Sequence, residues 1–330
     1  MNIRKILWQA AGNESRQAMP ILSFPAVQKM DTTVEQLVKS SELMAQAMEI
    51  IARDTDTLAA VSLMDLSVEA EAFGAQVRYS ADEVPAIVGQ LVSDEDEAND
   101  LAVPPLSAGR AAVCVEAVRL AKERITDKPV IAGMIGPYSL AGRLMDVTEI
   151  MYACYDEPET VHIVLDKATR YLIAYGQAMK AAGADAIMMA EPLAGILSPD
   201  LAEEFSVPYV KRIIDALQDE EFAVLYHNCG NAVPSMLEQI YTQGAAAYHF
   251  GNAVDMLEIL QNSPSEILCM GNIDPAGQFA HGTPESISQA TRELLDKCGG
   301  YPNFVLSSGC DIPAHAKWEN INAFFHTLKA

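Results

Sequence analysis

Short apolar runs, many rich in β-branched residues, recur along this chain and alternate with longer stretches of helical periodicity. Eight runs stand out: PILSF (20–24), LAAVSLMD (58–65), PVIAGMIG (129–136), ADAIMMAE (184–191), EFAVLYHN (221–228), AAAYHF (245–250), EILCMGN (266–272) and NFVLSSGC (303–310). Near-continuous apolar strands separated by helices imply a parallel sheet covered by helices. Eight strand-then-helix repeats predict an α/β fold, a closed (β/α)8 TIM-type barrel, with an open doubly wound sheet as the alternative. No G-x-G-x-x-G or Walker A pattern follows the first run, which weakens the nucleotide-binding form of that alternative.

Residues 32–54 place Val34, Leu37, Val38, Met44, Ala45, Met48 and Ile51 on one face, the spacing of a single helix. Thr32 and Glu35 have capping-box spacing at its start. Further helices are expected near 107–125, 157–182, 198–217, 233–243, 254–262, 284–298 and 314–329. Ser198-Pro199 and Thr283-Pro284 look like N-cap plus N1-proline starts. Residues 66–106 separate the second strand from its helix. In a single barrel domain spanning 1–330, this long insertion is expected to lie over the barrel mouth as an excursion or lid. Its acidic run SDEDEAND (93–100) reads as a solvated face.

Composition narrows the partners. Twenty-two Lys+Arg against 45 Asp+Glu give a net charge of −23. Such a surface repels phosphate backbones and anionic lipid, so neither nucleic acid nor membrane is an expected partner. No run of about 18 uncharged apolar residues occurs, and the N-terminal stretch has no long apolar core of a secretion signal. Six scattered cysteines do not suggest a disulfide framework, and a reducing cytoplasm is the expected setting.

In a barrel the active site sits at the C-terminal ends of the strands. Those ends carry Asp65, Tyr138, Glu191, His227 with Cys229, His249, Asn272 with Asp274, and Cys310 with Asp311. Residues two apart on a strand share a face, so His227 and Cys229 can meet one metal. Cys310, at the end of the eighth run, faces the same mouth. Two thiolates and an imidazole suit Zn2+, and three protein ligands leave a position open, as in catalytic zinc sites. Cys114, Cys154, Cys269 and Cys298 fall inside helical or strand patterns and read as small hydrophobes.

The motifs HNCGN (227–231), GNIDP (271–275), GTPE (282–285) and SSGCDIP…ENI (307–321) resemble the uroporphyrinogen decarboxylase superfamily. More narrowly, the chain is similar to its corrinoid methyltransferase branch of the methylcobalamin:coenzyme M type. VEAEAFG (68–74), AGMIGPYSLAG (132–142) and AGADAIMMAEP (182–192) extend the resemblance over nearly the whole chain. It implies a (β/α)8 barrel, zinc held by His227, Cys229 and Cys310, and methylcobalamin presented by a partner corrinoid protein. The metal-free decarboxylase branch fits less well. Its arginine-rich N-terminal segment corresponds to ESRQAMP (14–20), which holds one arginine, Arg16, read as a structural or surface residue.

The expected reaction moves a methyl group between the corrinoid and a small thiol such as coenzyme M, with a zinc-bound thiolate as nucleophile. A free thiol with a pKa of about 8.5 is mostly protonated at neutral pH, and coordination to zinc removes that proton. Glu191, Asp65 and Asp311 are the candidate catalytic groups. Tyr138, His249, Asn272 and Asp274 are candidate substrate contacts, with His249 the alternative fourth ligand. Glu69 and Glu71 read as solvent-facing. Three other readings remain open: loading of the corrinoid from a methyl ether, methylamine or methyl halide; a metal-free decarboxylase; and a non-catalytic binding barrel. A homodimer is compatible with the sequence, which does not fix the oligomeric state.

Overall fold

Seven of the apolar runs pair side by side as parallel strands in a computed structural model that describes residues 1–11 and 17–329. In chain order the strands are β1 (Ala60–Val61), β2 (Gln76–Arg78), β3 (Ala86–Val88), β4 (Val130–Ile135), β5 (Ala186–Ala190), β6 (Ala223–Asn228), β7 (Ala247–Phe250), β8 (Cys269–Ile273) and β9 (Phe304–Ser308). The main sheet runs β1-β4-β5-β6-β7-β8-β9, and β2 and β3 form a separate antiparallel hairpin.

The eighth staple of the barrel differs from the expectation. The first run, 20–24, contributes no ladder of its own. Ala18 instead bridges to Leu306, Met19 N–H donates to the Leu306 carbonyl (3.0 Å), and Leu58 N–H donates to the Ala18 carbonyl (3.0 Å). The segment therefore joins β9 to β1 and closes the ring two residues early. Pro20 has no N–H to extend the pairing. Ile21 N–H turns to the Ser308 hydroxyl (3.0 Å), and Pro25 sits in the first turn of a 3-10 helix, Phe24–Lys29. Arg16 lies outside the described residues.

Side-chain alternation splits the apolar core in two. Inside the barrel, Met188, Leu225, Ala247, Leu268, Met270 and Val305 pack together with Met19 and Val61. Ile3 and Leu7 of an unpredicted N-terminal helix, Ile3–Ala10, join the same cluster. Outside, a larger cluster packs the helices onto the strands. No helix among the described residues is long and apolar enough to cross a membrane.

Helix boundaries follow local chemistry. The predicted 32–54 helix is two, Val34–Val38 and Ser41–Asp54, because the Ser40 side chain accepts from Leu43 N–H and caps a fresh start. Its capping box is formed by Thr33 and Gln36, one residue later than expected. The 198–217 segment also splits, into Pro199–Phe205 and Val207–Leu217, with Pro208 in the first turn of the second helix. Ser198 and Thr283 cap as predicted.

Residues 66–106 are ordered rather than a bare loop: a short helix (Val68–Ala72), the β2–β3 hairpin and an acidic helix (Glu95–Asp100). The acidic helix exposes nearly all its charges, as expected, and Asp94 caps it. Arg110, 6 % exposed, anchors the segment. Its guanidinium ion-pairs with Asp65 and with Glu71 (2.7 Å), and it donates to Ser67 Oγ (2.7 Å). Glu71 also accepts from the Tyr79 hydroxyl on the hairpin. Neither acid of the VEAEAFG motif faces solvent, contrary to expectation. Glu69 is 2 % exposed and accepts from Ile135 N–H at the end of β4 (3.0 Å). Burial pushes its carboxyl up to about 7.

Arg110→Met strands two partly or wholly buried carboxylates and is expected to lower unfolding stability by about 3–5 kcal/mol, measured by urea titration. Glu69 has a folded pKa above the ordinary 4.5, so its protonated form favours folding, and that contribution is lost as pH rises through about 7. Glu69→Gln keeps the acceptor for Ile135 and is expected to raise the melting temperature at pH 8 but hardly at pH 5.

Candidate metal centre

β5, β6 and β7 are in register so that Ala190 lies beside His227, and His227 beside His249. Below them the barrel interior is apolar. At this layer it becomes polar: His227 is 2 % exposed, and His249 and Ser307 are fully buried. Cys229 follows His227 on the strand's extension, and Cys310 follows the Gly309 turn after β9.

The nitrogen and sulfur donors of His227, Cys229 and Cys310 lie within 4.8 Å of one another. His227 Nε2 and Cys310 Sγ are 3.6 Å apart. A tetrahedral zinc with ordinary Zn–N and Zn–S bonds separates such donors by about 3.6 Å, so this edge of the site is already at ligand spacing. The donor set fits Zn2+: one imidazole and two thiols, with one tetrahedral position left for a fourth ligand.

A hydrogen-bond chain fixes which imidazole nitrogen is free. Ser307 Oγ donates to the Met19 carbonyl (2.7 Å), which can only accept. Ser307 Oγ therefore accepts from His249 Nε2–H (2.7 Å). Burial, with His227 alongside, pushes the His249 pKa far below its ordinary value, so the ring is neutral and its Nδ1 is bare. That Nδ1 accepts from His227 Nδ1–H (2.8 Å). His227 is left with an unprotonated Nε2 facing the two sulfurs, the tautomer that a metal ligand requires.

The thiols are coupled. The neighbouring Cys310 brings the Cys229 thiol down to about 7, while Cys229 and burial push Cys310 up to about 12. The other cysteines behave as the sequence suggests. All six are free, and burial raises the thiols of Cys114, Cys154, Cys269 and Cys298. Close packing holds the Cys229 backbone. A Cβ on Gly251 would sit 2.5 Å from Cys229 Cα and Cβ, and a Cβ on Gly230 would sit 2.3 Å from Gly195 Cα.

The remaining strand-end residues are placed more variously. His249 is not open to a substrate and is not a fourth ligand in this arrangement; both its nitrogens are used behind His227. Asp65 is committed to Arg110 and Ser67. Glu191, fully buried and pushed up to about 7 by burial, accepts from the N–H groups of Tyr138 (2.9 Å) and Ser139 (2.6 Å). It thereby caps the helix Pro137–Met145 after β4, and its own N–H donates to the His227 carbonyl (2.8 Å). The Tyr138 hydroxyl is packed against Met151 Sδ and Cys154 Sγ, where a neighbouring helix, Val147–Asp156, covers it. Asn272 donates to the Gly251 and Val254 carbonyls, and Asp274 caps the turn Pro275–Ala280. Asp311 keeps a buried Oδ1 without a hydrogen-bond partner beside Cys310, and burial raises its pKa well above the usual carboxylate range.

The His249 role carried a signal in the sequence. Tyr-His occurs at 226–227 and again at 248–249 on consecutive strands, and the register aligns the two dipeptides residue for residue.

The profile of the family described as Uroporphyrinogen decarboxylase (URO-D) matches residues 15–330, and the chain belongs to that family. Among its relatives is the methylcobamide:CoM methyltransferase MtbA of Methanosarcina acetivorans, 28% identical over 269 residues, covering 80% of this chain and 77% of the relative. A uroporphyrinogen decarboxylase of Paraburkholderia phytofirmans is also 28% identical, over 279 residues, covering 80% of this chain and 75% of that protein. In fold, the chain is similar to a methyltransferase from Methanosarcina mazei, with a TM-score of 0.87, 23% identity and coverage of 99% and 97% of the two chains.

The relay behind His227 yields one expected outcome. His249→Leu removes the acceptor for His227 Nδ1–H and should weaken Zn2+ or Co2+ binding roughly 10- to 100-fold. Competition titration reads the zinc affinity, and the cobalt absorption bands report any change in ligand geometry.

Proposed function

We propose that this protein is a zinc-dependent, corrinoid-linked methyltransferase that moves a methyl group from a methylated corrinoid to a small thiol of the coenzyme M type. The observation that carries the reading is the His227–Cys229–Cys310 cluster, at zinc-ligand spacing and with His227 held in the ligating tautomer. The methylcobamide:CoM methyltransferases among the relatives support the reaction class. Decarboxylases match at similar identity, so the relatives alone do not choose between branches.

Zn2+ bound here would supply one thing: a fourth-ligand thiol kept as thiolate at neutral pH. The protein does the rest. Two cysteine thiolates and a neutral imidazole offset the charge of a divalent ion, which leaves electron density on a further sulfur ligand. His249, Ser307 and the Met19 carbonyl keep the His227 ring from turning and hold its N–H at Nδ1, so that Nε2 is the nitrogen offered to the sulfurs. Asp311, with its unpartnered buried oxygen, is the acid placed to meet a donor on the incoming thiol or on the corrinoid. Glu191 and Asp65 act as positioning residues through the helix after β4 and through Arg110. In this reading residues 1–330 form a single barrel domain in the cytoplasm, residues 66–106 cover the mouth, and a separate corrinoid protein delivers the methyl group there.

The test uses the purified protein, methylcobalamin and thiols. Wild type should hold about one zinc per chain. It should convert methylcobalamin toward cob(I)alamin only when a thiol is added. Cys310→Ala should lose both the metal and the turnover. A Cys310→Ala protein with full zinc and full turnover would refute the assignment. Loading of cob(I)alamin from a methyl donor, with no reaction toward any thiol, would reverse the direction of transfer.

A further inference from the structure

Among the described residues, eight large apolar side chains are exposed, and four of them lie in two adjoining segments beside the barrel mouth. Val147, Tyr152 and Tyr155 belong to the helix Val147–Asp156, and Ile196 ends the 3-10 helix Pro192–Ile196 that follows β5. The two tyrosines are the most exposed of the eight, at 63 % and 70 %. The segments meet at Gly142, where a Cβ would run into Leu193 of the 3-10 helix and touch Ile150 of the other helix. On its far side the 3-10 helix reaches the metal-ligand loop. Gly195 packs directly on Gly230, the residue after Cys229, and its carbonyl accepts from Ala232 N–H (3.1 Å). Ile196 therefore borders the loop that carries a metal ligand.

The tyrosines lie further out. The helix Pro158–Ala181 has 24 residues and is about 36 Å long. It returns the chain to the start of β5, whose 5 residues span about 17 Å. Its first turns therefore project past the strand ends on the mouth side, and they carry the Val147–Asp156 helix with them. That helix buries Ile150 and Cys154 on its inner face. Tyr152 and Tyr155, three apart, share its outer face. A stripe so placed is beyond the reach of a small substrate bound at the metal, so what covers it is the size of a protein.

Charge selects the kind of protein. No lysine or arginine occurs from residue 144 to 166 or from 181 to 210. The first stretch exposes Asp146, Glu149, Asp156, Glu157 and Glu159, and the second exposes Asp200 and Glu203. An aromatic and apolar centre inside a charged rim is the anatomy of a protein–protein interface. A second copy of this chain would set the same acids against one another, because a two-fold pair presents one patch to itself. The complementary partner is a different protein with a cationic rim.

We propose that Tyr152, Tyr155 and Ile196 form the docking face for the protein that carries the methylated corrinoid, and that the carrier meets it with an apolar centre rimmed by lysine and arginine. This rests on the methyl-transfer function proposed above. Contact at Ile196 sets the carrier against the metal-ligand loop, and contact at the tyrosines holds it there while the methyl group moves.

The probe is a methylated corrinoid-binding protein with lysine and arginine around its corrinoid, compared with free methylcobalamin as donor to 2-mercaptoethanesulfonate. Wild type should show the lower KM for the protein-bound donor. Tyr152→Ala combined with Tyr155→Ala should raise that KM roughly 10- to 100-fold, the scale of two lost aromatic anchors, and leave KM and kcat for free methylcobalamin unchanged. Biolayer interferometry on the zinc-loaded enzyme should show the same loss of affinity without turnover. Glu149→Lys combined with Asp156→Lys should slow association and flatten its dependence on salt. Zinc content and melting temperature confirm that the variants are folded. Three results would overturn the inference alone: no preference of wild type for the protein-bound donor, equal losses with both donors, or binding that none of the four substitutions changes. Sedimentation showing a wild-type dimer that Tyr155→Ala takes apart would overturn it too, since a second copy would then cover the face. A wild type that moves no methyl group from either donor would overturn the proposed function and this inference with it.

Discussion

A hydrogen bond between two imidazoles, His227 Nδ1 to His249 Nδ1, holds the site together. It exists because β6 and β7 are parallel neighbours in a register that sets the two histidines side by side. It has one polarity only. The Met19 carbonyl at the far end cannot donate, so every proton in the chain points toward it. A backbone group of the segment that closes the barrel thus decides the tautomer of a residue on β6, with β7, β8 and β9 between them in the sheet. Ring closure at Ala18–Met19 and the chemistry at His227 are one structural fact.

That layer would be costly anywhere else. Two imidazoles and a hydroxyl buried at 0–2 % exposure need complete satisfaction, since an unpaired polar group in a dry interior loses its hydration with no return. Here each nitrogen of His249 is used, and His227 keeps only the nitrogen that faces the sulfurs. The apolar plug below, with Ile3 and Leu7 against Leu225, Met270 and Val305, keeps water from the lower end of the barrel. The apolar interior sets the rigidity, and the polar layer above it converts that rigidity into a fixed ligand direction.

Much of this was legible in the sequence, for physical reasons. Buried parallel strands are continuous apolar runs, so seven strands announce themselves, and the ends of β6 and β9 display the three metal-capable side chains. What was hidden depends on register and long-range contact. The Ala18 bridge is too short for periodicity to reveal, and Pro20 interrupts the run that follows it. His249 looks like a lining residue until register puts it behind His227. Glu69 and Glu71 look exposed because their helix is short and polar, yet Ile135 and Arg110 lie far away in sequence. The helix breaks at Ser40 and Ser206 arise where an apolar face continues without a change of period, so only a side-chain cap marks the first and Pro208 the second.

Relatives of both branches match at the same identity, so the choice between thiol chemistry and decarboxylation falls to the site. A metal-free acid–base site has no use for two thiols coupled within the reach of a bare imidazole nitrogen. The coupling brings one thiol near neutrality and leaves the other protonated, an arrangement a divalent ion would replace with two thiolates. A polycarboxylate substrate would also have to approach a chain of net charge −23, and the acids near the mouth already occupy Arg110.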